Sequence, residues 1–329
     1  MRRFIGLMLQ AIAALLVIAV LVLAGFRIGA AWREANSTTA PPADGRFVTI
    51  SDAQIFVQQR GPQTGRPVVL VPGTAAWSGF WLDAADKLGQ AGYRAIAVDL
   101  PPFGYSLRDP KSNYSRAEQA RRLSELIAAM DLLDVVLVGH SFGAGPVVET
   151  AMRYPQRLKG LAIVSGALGL PDDGAAVPAP NPVVEAMLRM PVVNEALSAG
   201  IVTNPLLTRR LLAMMLHRQE AASEAIAETL SQPYRRAGTT PAYGAWLPEL
   251  LLPDRASFSV EPVRYRALDL PTAIIWGEKD NVTPLAQGER LHRLLPTSSF
   301  DVIADVGHIP HIEEPGGFLA LLLRRLREL

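Results

Sequence analysis

The chain has 329 residues, with 32 Lys and Arg against 31 Asp and Glu, a net charge of +1, and 49% hydrophobic residues. That length holds one large domain with an insertion. The mixed-sign, near-neutral charge offers no footing for nucleic acid, and the absence of cysteine excludes disulfides.

Residues 4–26 form an uncharged apolar run, about 34 Å long as a helix and enough for a bilayer core of ~30 Å. The run reads as one transmembrane helix within an anchor over residues 1–34. Arg2, Arg3 and the initiator amine precede it, whereas Arg27 and Arg33 follow it with Glu34 nearby. The positive-inside rule then places the N-terminus in the cytoplasm and the remaining chain on the periplasmic, extracytoplasmic side. The alternative is a secretory signal peptide cleaved near Ala24, Ala30 or Ala40; both readings export the domain. Residues 35–45 are polar and contain Pro41 and Pro42, as expected of a tether.

Residues 46–50 and 54–59 read as an opening antiparallel hairpin, and residues 67–71 as the first fully buried strand. Further strands are expected over 93–98, 134–138, 158–164, 272–276 and 299–303, separated by helical patterns near 78–91, 115–131, 142–154, 284–295 and 315–328. This alternation predicts a mainly parallel α/β sheet with helices on both faces and a ligand site at the C-terminal strand ends. It fails from about 170 to 263, where the pattern is helical. Asn181-Pro182 and Asn204-Pro205 each pair an N-cap residue with proline at the first helical position, and prolines 233, 241, 248 and 253 break later segments. Met187, Met190, Met214 and Met215 give this stretch a soft apolar interior, either as an adaptable pocket wall or as packing between its helices.

The run Val138-Gly139-His140-Ser141-Phe142-Gly143 sets a serine between two glycines, after a β-branched strand and before a helical pattern. Such a nucleophile elbow needs glycine at 139 and 143, because side chains there would meet the neighbouring strand or helix. Downstream, Ile275-Trp276-Gly277-Glu278-Lys279-Asp280 ends a strand with an acid, and residues 302–308 end another with His308. The order Ser, Asp, His, together with Gly307-His308-Ile309-Pro310-His311-Ile312-Glu313-Glu314-Pro315 and the loop Val71-Pro72-Gly73-Thr74, closely resembles the α/β-hydrolase superfamily. Within it the chain looks most like the esterase, meta-cleavage-product hydrolase and epoxide hydrolase branch. The resemblance covers roughly residues 45–170 and 262–329. It implies an eight-stranded, mainly parallel sheet forming the core over those residues, with an inserted helical cap over 171–261.

Serine is a poor nucleophile at neutral pH, so a base must take its proton as it attacks. His308 is the candidate base and Asp280 the carboxylate that fixes its tautomer. Asp301 and Asp305 are rivals by proximity, but Asp280 fits the family's Gly-x-x-Asp pattern, and Ser165-Gly166 occupies the alternative acid position. Backbone N–H groups of Phe142 and Thr74 are the expected oxyanion donors. Here the chain departs from the family, which usually has His-Gly where Pro72-Gly73 stands. His140 is expected to pack beside the nucleophile, His311 is the runner-up base, and His217 and His292 sit in predicted helices. Pro146 is expected to remove a hydrogen bond and kink the helix after the elbow. The loop from Asp99 to Ser106 resembles a structural loop of the family. Trp77, Phe80 and Trp81 either line an entrance or staple the first helix to the sheet. Arg324, Arg325 and Arg327 read as a solvated basic face. No metal-ligand cluster emerges, and the chemistry requires no cofactor.

The resemblance implies a serine hydrolase acting on a carboxylic ester of a fairly apolar small molecule, and the apolar run over residues 4–26 is expected to anchor it to the membrane. A carbon-carbon bond hydrolase acting on meta-cleavage products carries the same triad, and a catalytically silent binding module on the same fold is the non-enzyme reading. Serine at 141 argues against epoxide hydrolase and haloalkane dehalogenase chemistry, which needs a carboxylate nucleophile.

Overall fold

Runs of β-branched and aliphatic residues form eight strands: β1 (Gly45–Thr49), β2 (Gln54–Arg60), β3 (Pro67–Val71), β4 (Arg94–Val98), β5 (Val135–His140), β6 (Leu158–Val164), β7 (Thr272–Gly277) and β8 (Ser299–Ile303). The computed structural model describes residues 2–109, 111–172 and 174–329; the initiator amine and the side chains of Arg2 and Arg3, invoked above for helix orientation, lie outside what it describes. The strands join one sheet in the order β1-β2-β4-β3-β5-β6-β7-β8. β2 runs antiparallel to β1 and β4, and all other neighbours are parallel. Every residue of β3, β5 and β7 is buried, which explains continuous apolar runs in place of alternation.

The helices are α1 (Arg2–Ala35), α2 (Leu82–Gln90), α3 (Arg116–Ala129) and α4 (Ala144–Arg153), then α5 (Pro182–Leu188), α6 (Pro191–Leu197), α7 (Thr208–Met215), α8 (Glu224–Ser231), α9 (Thr239–Leu251) and α10 (Pro262–Tyr265) between β6 and β7. α11 (Leu285–Leu294), α12 (Pro310–Glu313) and α13 (Pro315–Glu328) complete the chain. Leu88 of α2 and Phe318, Leu322 and Leu326 of α13 pack on one sheet face with Val68, Val136 and Ile275. On the other face α3 and α4 place Leu123, Leu126 and Val147 against Val69, Ile96 and Leu137. From β3 the chain crosses to β4 on one side and later to β5 on the other, so the order reverses between β3 and β5, where a crevice opens at the C-terminal strand ends. The insertion between β6 and β7 roofs that crevice: Trp246 of α9 lies 4.8 Å from Phe103 and 5.4 Å from Phe142, ring centre to ring centre.

Several local expectations are corrected. Pro241 and Pro248 do not break the chain but lie within α9, Pro248 in its interior; burial of Tyr243, Trp246, Leu247 and Pro248 outweighs the one lost backbone bond. Asn204 closes a turn, accepting the Leu206 N–H, and the helix begins only at Thr208. Pro146 stands in the first turn of α4, where no intrahelical N–H partner is needed. The stretch 78–91 splits into a 3₁₀ turn, Ser78–Trp81, followed by α2. His217 lies in a bend after α7. Of the four methionines, only Met215 packs against the insertion's core, whereas Met187, Met190 and Met214 are more than half exposed.

The expected tether does not release α1. Leu23, Phe26, Arg27, Ala30 and Glu34, spaced one helical turn apart, face the insertion. Arg27 pairs with Glu195 of α6 at 2.7 Å, and the buried Glu34 carboxylate accepts the Thr240 N–H of α9 at 2.8 Å. A Cβ on Gly200 would sit 3.5 Å from Leu23 and 3.6 Å from Phe26, so helix and insertion are in van der Waals contact there.

Candidate active site

Ser141 follows β5 at a sharp strand-to-helix turn and holds φ at 50°, a left-handed conformation that costs a non-glycine residue strain. The glycines on either side are sterically fixed. A Cβ on Gly139 would stand 2.7 Å from Ala144 Cα in the following helix, and one on Gly143 would stand 2.3 Å from the Pro72 carbonyl oxygen.

The acid and histidine loops meet because β7 and the loop after β8 approach backbone to backbone. A Cβ on Gly277 would lie 2.0 Å from the Gly307 oxygen, and the Lys279 N–H donates to the Val306 carbonyl at 2.8 Å. Asp280 and His308, 28 positions apart, therefore share one buried site. His308 Nδ1 lies 2.9 and 3.1 Å from the two Asp280 oxygens, and its Nε2 lies 2.7 Å from Ser141 Oγ. A carboxylate only accepts, so Nδ1 carries the proton and bare Nε2 accepts from the serine hydroxyl. Burial alone would raise the Asp280 carboxyl, but hydrogen bonds from His308 and Thr283 hold it below the usual carboxylate range.

The rivals are placed elsewhere. Asp301 pairs with Arg324 and Arg325; Arg324 stays exposed on the solvated basic face, whereas Arg325 is drawn inward. Asp305 is exposed in a turn, and its N–H donates to Glu278. His311 is buried in a stack with Trp81, ring centres 4.1 Å apart. Burial and then the adjacent His140 and His308 push its pKa well below the ordinary histidine value. His140 Nε2 lies 2.9 Å from the His308 carbonyl, which fixes its proton on Nε2; burial pushes its pKa down to about 3, so the ring is neutral. Trp77, Phe80 and Trp81 are buried, and Trp77 Nε1 donates to the Thr229 carbonyl of α8, tying the start of the 3₁₀ turn Ser78–Trp81 to the insertion. Asp99 accepts the Ser78 and Tyr105 N–H groups at 2.5 and 2.7 Å, a structural use of its loop.

The loop after β3 faces the nucleophile. A Cβ on Gly73 would stand 2.9 Å from both Ser141 Cβ and His140 Nδ1, which brings the Gly73–Thr74 backbone alongside the serine. Phe142 is the middle residue of the 3₁₀ turn Ser141–Gly143 that leads into α4. An apolar cavity of ≈420 Å³ starts at Thr74 and Ala75, passes Asn281 and Val282 beside Asp280, and continues along Leu211, Leu212, Met214 and Met215 of α7 to Ile201 and Val202.

Two residues of the site carried no weight in the sequence reading. Thr283 donates its backbone N–H to Asp280 Oδ1 and its hydroxyl to Oδ2, each at 2.8 Å. Glu313, buried, accepts the backbone N–H groups of Gly307 (3.0 Å), His217 (2.8 Å) and Arg218 (3.0 Å), with Ile309 at 3.4 Å. Its signal lay in the Gly-His-x-x-x-x-Glu-x-Pro pattern itself, six residues after Gly307.

A family model described as the alpha/beta hydrolase fold matches residues 66–315. A 2-hydroxy-6-oxo-2,4-heptadienoate hydrolase of Pseudomonas putida is 30% identical over 286 residues, covering 84% of this chain and 94% of that protein. Among solved structures, an esterase from Exiguobacterium antarcticum matches with a TM-score of 0.69 at 21% identity, over 86% of this chain and 99% of its own. A membrane phospholipase A matches with a TM-score of 0.67 at 22% identity, over 100% of this chain and 99% of its own. The serine elbow at the sheet's crevice, the roofing insertion and a family match over most of the chain lead to one assignment: this protein belongs to the alpha/beta hydrolase fold family.

Proposed function

We propose that the protein is a membrane-anchored serine hydrolase that cleaves carboxylic esters bearing an apolar acyl group. The observation that carries this reading is the 2.7 Å contact of Ser141 Oγ with His308 Nε2; the ≈420 Å³ apolar cavity reaches the Thr74 loop that faces the serine. Residues 45–170 and 262–329 act as the hydrolase core, and 171–261 as a cap over it.

In the first half-reaction His308 Nε2 takes the Ser141 proton as Oγ bonds to the ester carbonyl carbon. Asp280 stabilises the imidazolium, and the N–H groups of Phe142 and Thr74 hold the oxyanion. Collapse breaks the bond to the alcohol oxygen, which leaves with the proton from His308. In the second half-reaction His308 deprotonates water, which attacks the acyl-serine and releases the acid.

The relative from Pseudomonas putida is named for an oxo-dienoate, a substrate with a carboxylate. No lysine or arginine is among the described residues lining this cavity, which favours an uncharged acyl chain over a carboxylate-bearing carbon-carbon substrate. The helix over Ala13–Ala35 is long and apolar enough to cross a membrane; as an anchor it holds the hydrolase on the extracytoplasmic side.

The test is turnover of a p-nitrophenyl ester series, acetate to laurate, by the full chain in detergent micelles beside Ser141→Ala. Expected are turnover lost in the variant and an optimum longer than acetate. Labelling of Ser141 by a phosphonate probe with no ester turnover would transfer the assignment to a carbon-carbon bond substrate. Neither labelling nor turnover in folded protein would leave a binding module.

A further inference from the structure

We propose that the exposed apolar face of the insertion beside α1 is seated in the lipid leaflet adjoining the hydrolase, so that the acyl cavity opens onto the bilayer. The inference rests on the anchor reading above and adds the depth at which the insertion sits.

The helix serves as a ruler. Residues 4–26 span about 34 Å against a hydrocarbon core of ~30 Å, so Leu23 and Phe26 lie at its boundary on the hydrolase side. Gly200, in the π-helical segment Ser198–Val202, touches both side chains. The Arg27–Glu195 pair, the Glu34 bond to Thr240 and the packing of Ala30, 1% exposed, fix that register. Segment 198–202 is thereby held at the edge of the hydrocarbon.

The side chains nearby suit that depth. Ile201 is 46% exposed, Val192 in α6 is 80% exposed and Leu206 just before α7 is 82% exposed. Exposed large apolar residues gathered on one insertion in this way suit a partner or membrane surface. Continuity with the anchor selects lipid as the occupant. Further along α1, ~10 Å beyond Phe26, Trp32 and Arg33 line a ≈370 Å³ cleft with Arg235 and the hydroxyls of Ser37 and Thr39. No ion pair joins Arg33 or Arg235 among the described residues. An interfacial tryptophan and two cations able to reach back to phosphates are the expected chemistry at headgroup level. Ile201 also lines the apolar cavity that includes Thr74, so the proposed path for an acyl chain runs from the leaflet along that wall to the loop beside Ser141.

The absence of cysteine makes single-cysteine labelling clean. The full chain is reconstituted in phosphatidylcholine–phosphatidylglycerol vesicles with an environment-sensitive fluorophore on Leu15→Cys, Val192→Cys, Leu206→Cys or Leu133→Cys. Expected is quenching by brominated lipid at 15, 192 and 206, and quenching by aqueous iodide alone at 133, which lies at the opposite end of β5. Lipid quenching at 15 with iodide quenching at 192 and 206 overturns the docking while keeping the anchor. No lipid quenching at 15 overturns both. Protection of 192 and 206 from both quenchers overturns it in favour of a protein partner or second copy. For an active preparation, Leu206→Glu is expected to lower turnover of a vesicle-embedded ester about tenfold and to leave a soluble short-chain ester unchanged; equal effects on both overturn the proposal. The quenching result stands whether or not the protein is an esterase.

Discussion

Replacing Glu313 by glutamine removes one acceptor from the knot that joins the histidine loop to the insertion. The carboxylate spreads four backbone donors over two oxygens: Oε1 takes Gly307 and Ile309, and Oε2 takes His217, Arg218 and a second approach from Gly307. A glutamine keeping its oxygen on His217 and Arg218 turns its NH₂ toward Gly307 and Ile309, donor against donor. The Oε1 bonds are then unmade while Gly307 keeps only its approach to the retained oxygen, so the variant should lose about 1.5–3 kcal/mol. Gly307 precedes His308, so the loop should shift, and a displacement of ~1 Å at the base lowers kcat about 100-fold. The assay is urea unfolding of the full chain in detergent micelles, with kcat measured on the same preparation. Arg218→Ala is the control: its pair with Glu314 is partly exposed on both sides and is worth about 0–1 kcal/mol. A Glu313→Gln variant within ~1 kcal/mol of wild type and of near-normal kcat would refute the reasoning.

Asp280→Asn should lower kcat by about 10⁴ by forcing the wrong His308 tautomer, whereas Asp305→Asn should change it less than about twofold; steady-state rates normalised to phosphonate-titrated sites distinguish the two carboxylates. Asp99 provides a pH signature: burial raises its pKa to about 6 against 3.8 when unfolded, despite the Ser78 and Tyr105 N–H groups. The native state then binds the proton more tightly than the unfolded chain, so this stabilisation is complete below about pH 4 and is lost as pH rises toward 6, about 3 kcal/mol in all. Urea midpoints from pH 4 to 8 should show that slope in wild type and lack it in Asp99→Asn; parallel profiles count against it. Asp280, whose pKa is depressed, acts with the opposite sign and only below about pH 4.

Ser141, Asp280 and His308 come together, as the sequence pattern implied, because each follows a strand of the parallel sheet, the first two strands wholly buried, and the C-terminal ends of such strands converge whatever lies between them. Glu313 and Thr283 were written in the same sequence but not readable as site residues: Glu313 accepts from backbone N–H groups, and Thr283 donates its own N–H and hydroxyl to Asp280, pairings that only the folded loops define. The methionines failed for a different reason. Composition says that Met187, Met190 and Met214 belong beside apolar matter, but not whether that matter is the protein's own core. Pro248 failed because proline's local cost is fixed, whereas the burial that outweighs it depends on the tertiary fold. In α1 the turn-spaced stripe of Leu23, Phe26, Ala30 and Glu34 was hidden inside a run apolar on every side, where periodicity vanishes.

On the proposed function, the α7 helix ties substrate size to catalysis. Its Leu211, Leu212, Met214 and Met215 form one wall of the cavity. Its last turn and exit are bonded to both reacting loops: Asn281 Nδ2 donates to the Met214 carbonyl at 2.9 Å, the His308 N–H donates to the Met215 carbonyl at 3.0 Å, and Glu313 accepts from His217 and Arg218. Swinging α7 away to admit a substrate breaks four hydrogen bonds, two of them to a carboxylate, at a cost of about 4–8 kcal/mol, and displaces His308 in the same motion. An opening of that kind disarms the base it exposes. Substrate therefore enters past side chains rather than beneath a lifted cap. If the protein is the ester hydrolase proposed above, the bulk of Ile201 and Met214 at the outer wall, not the stability of the insertion, sets which acyl chains reach Ser141.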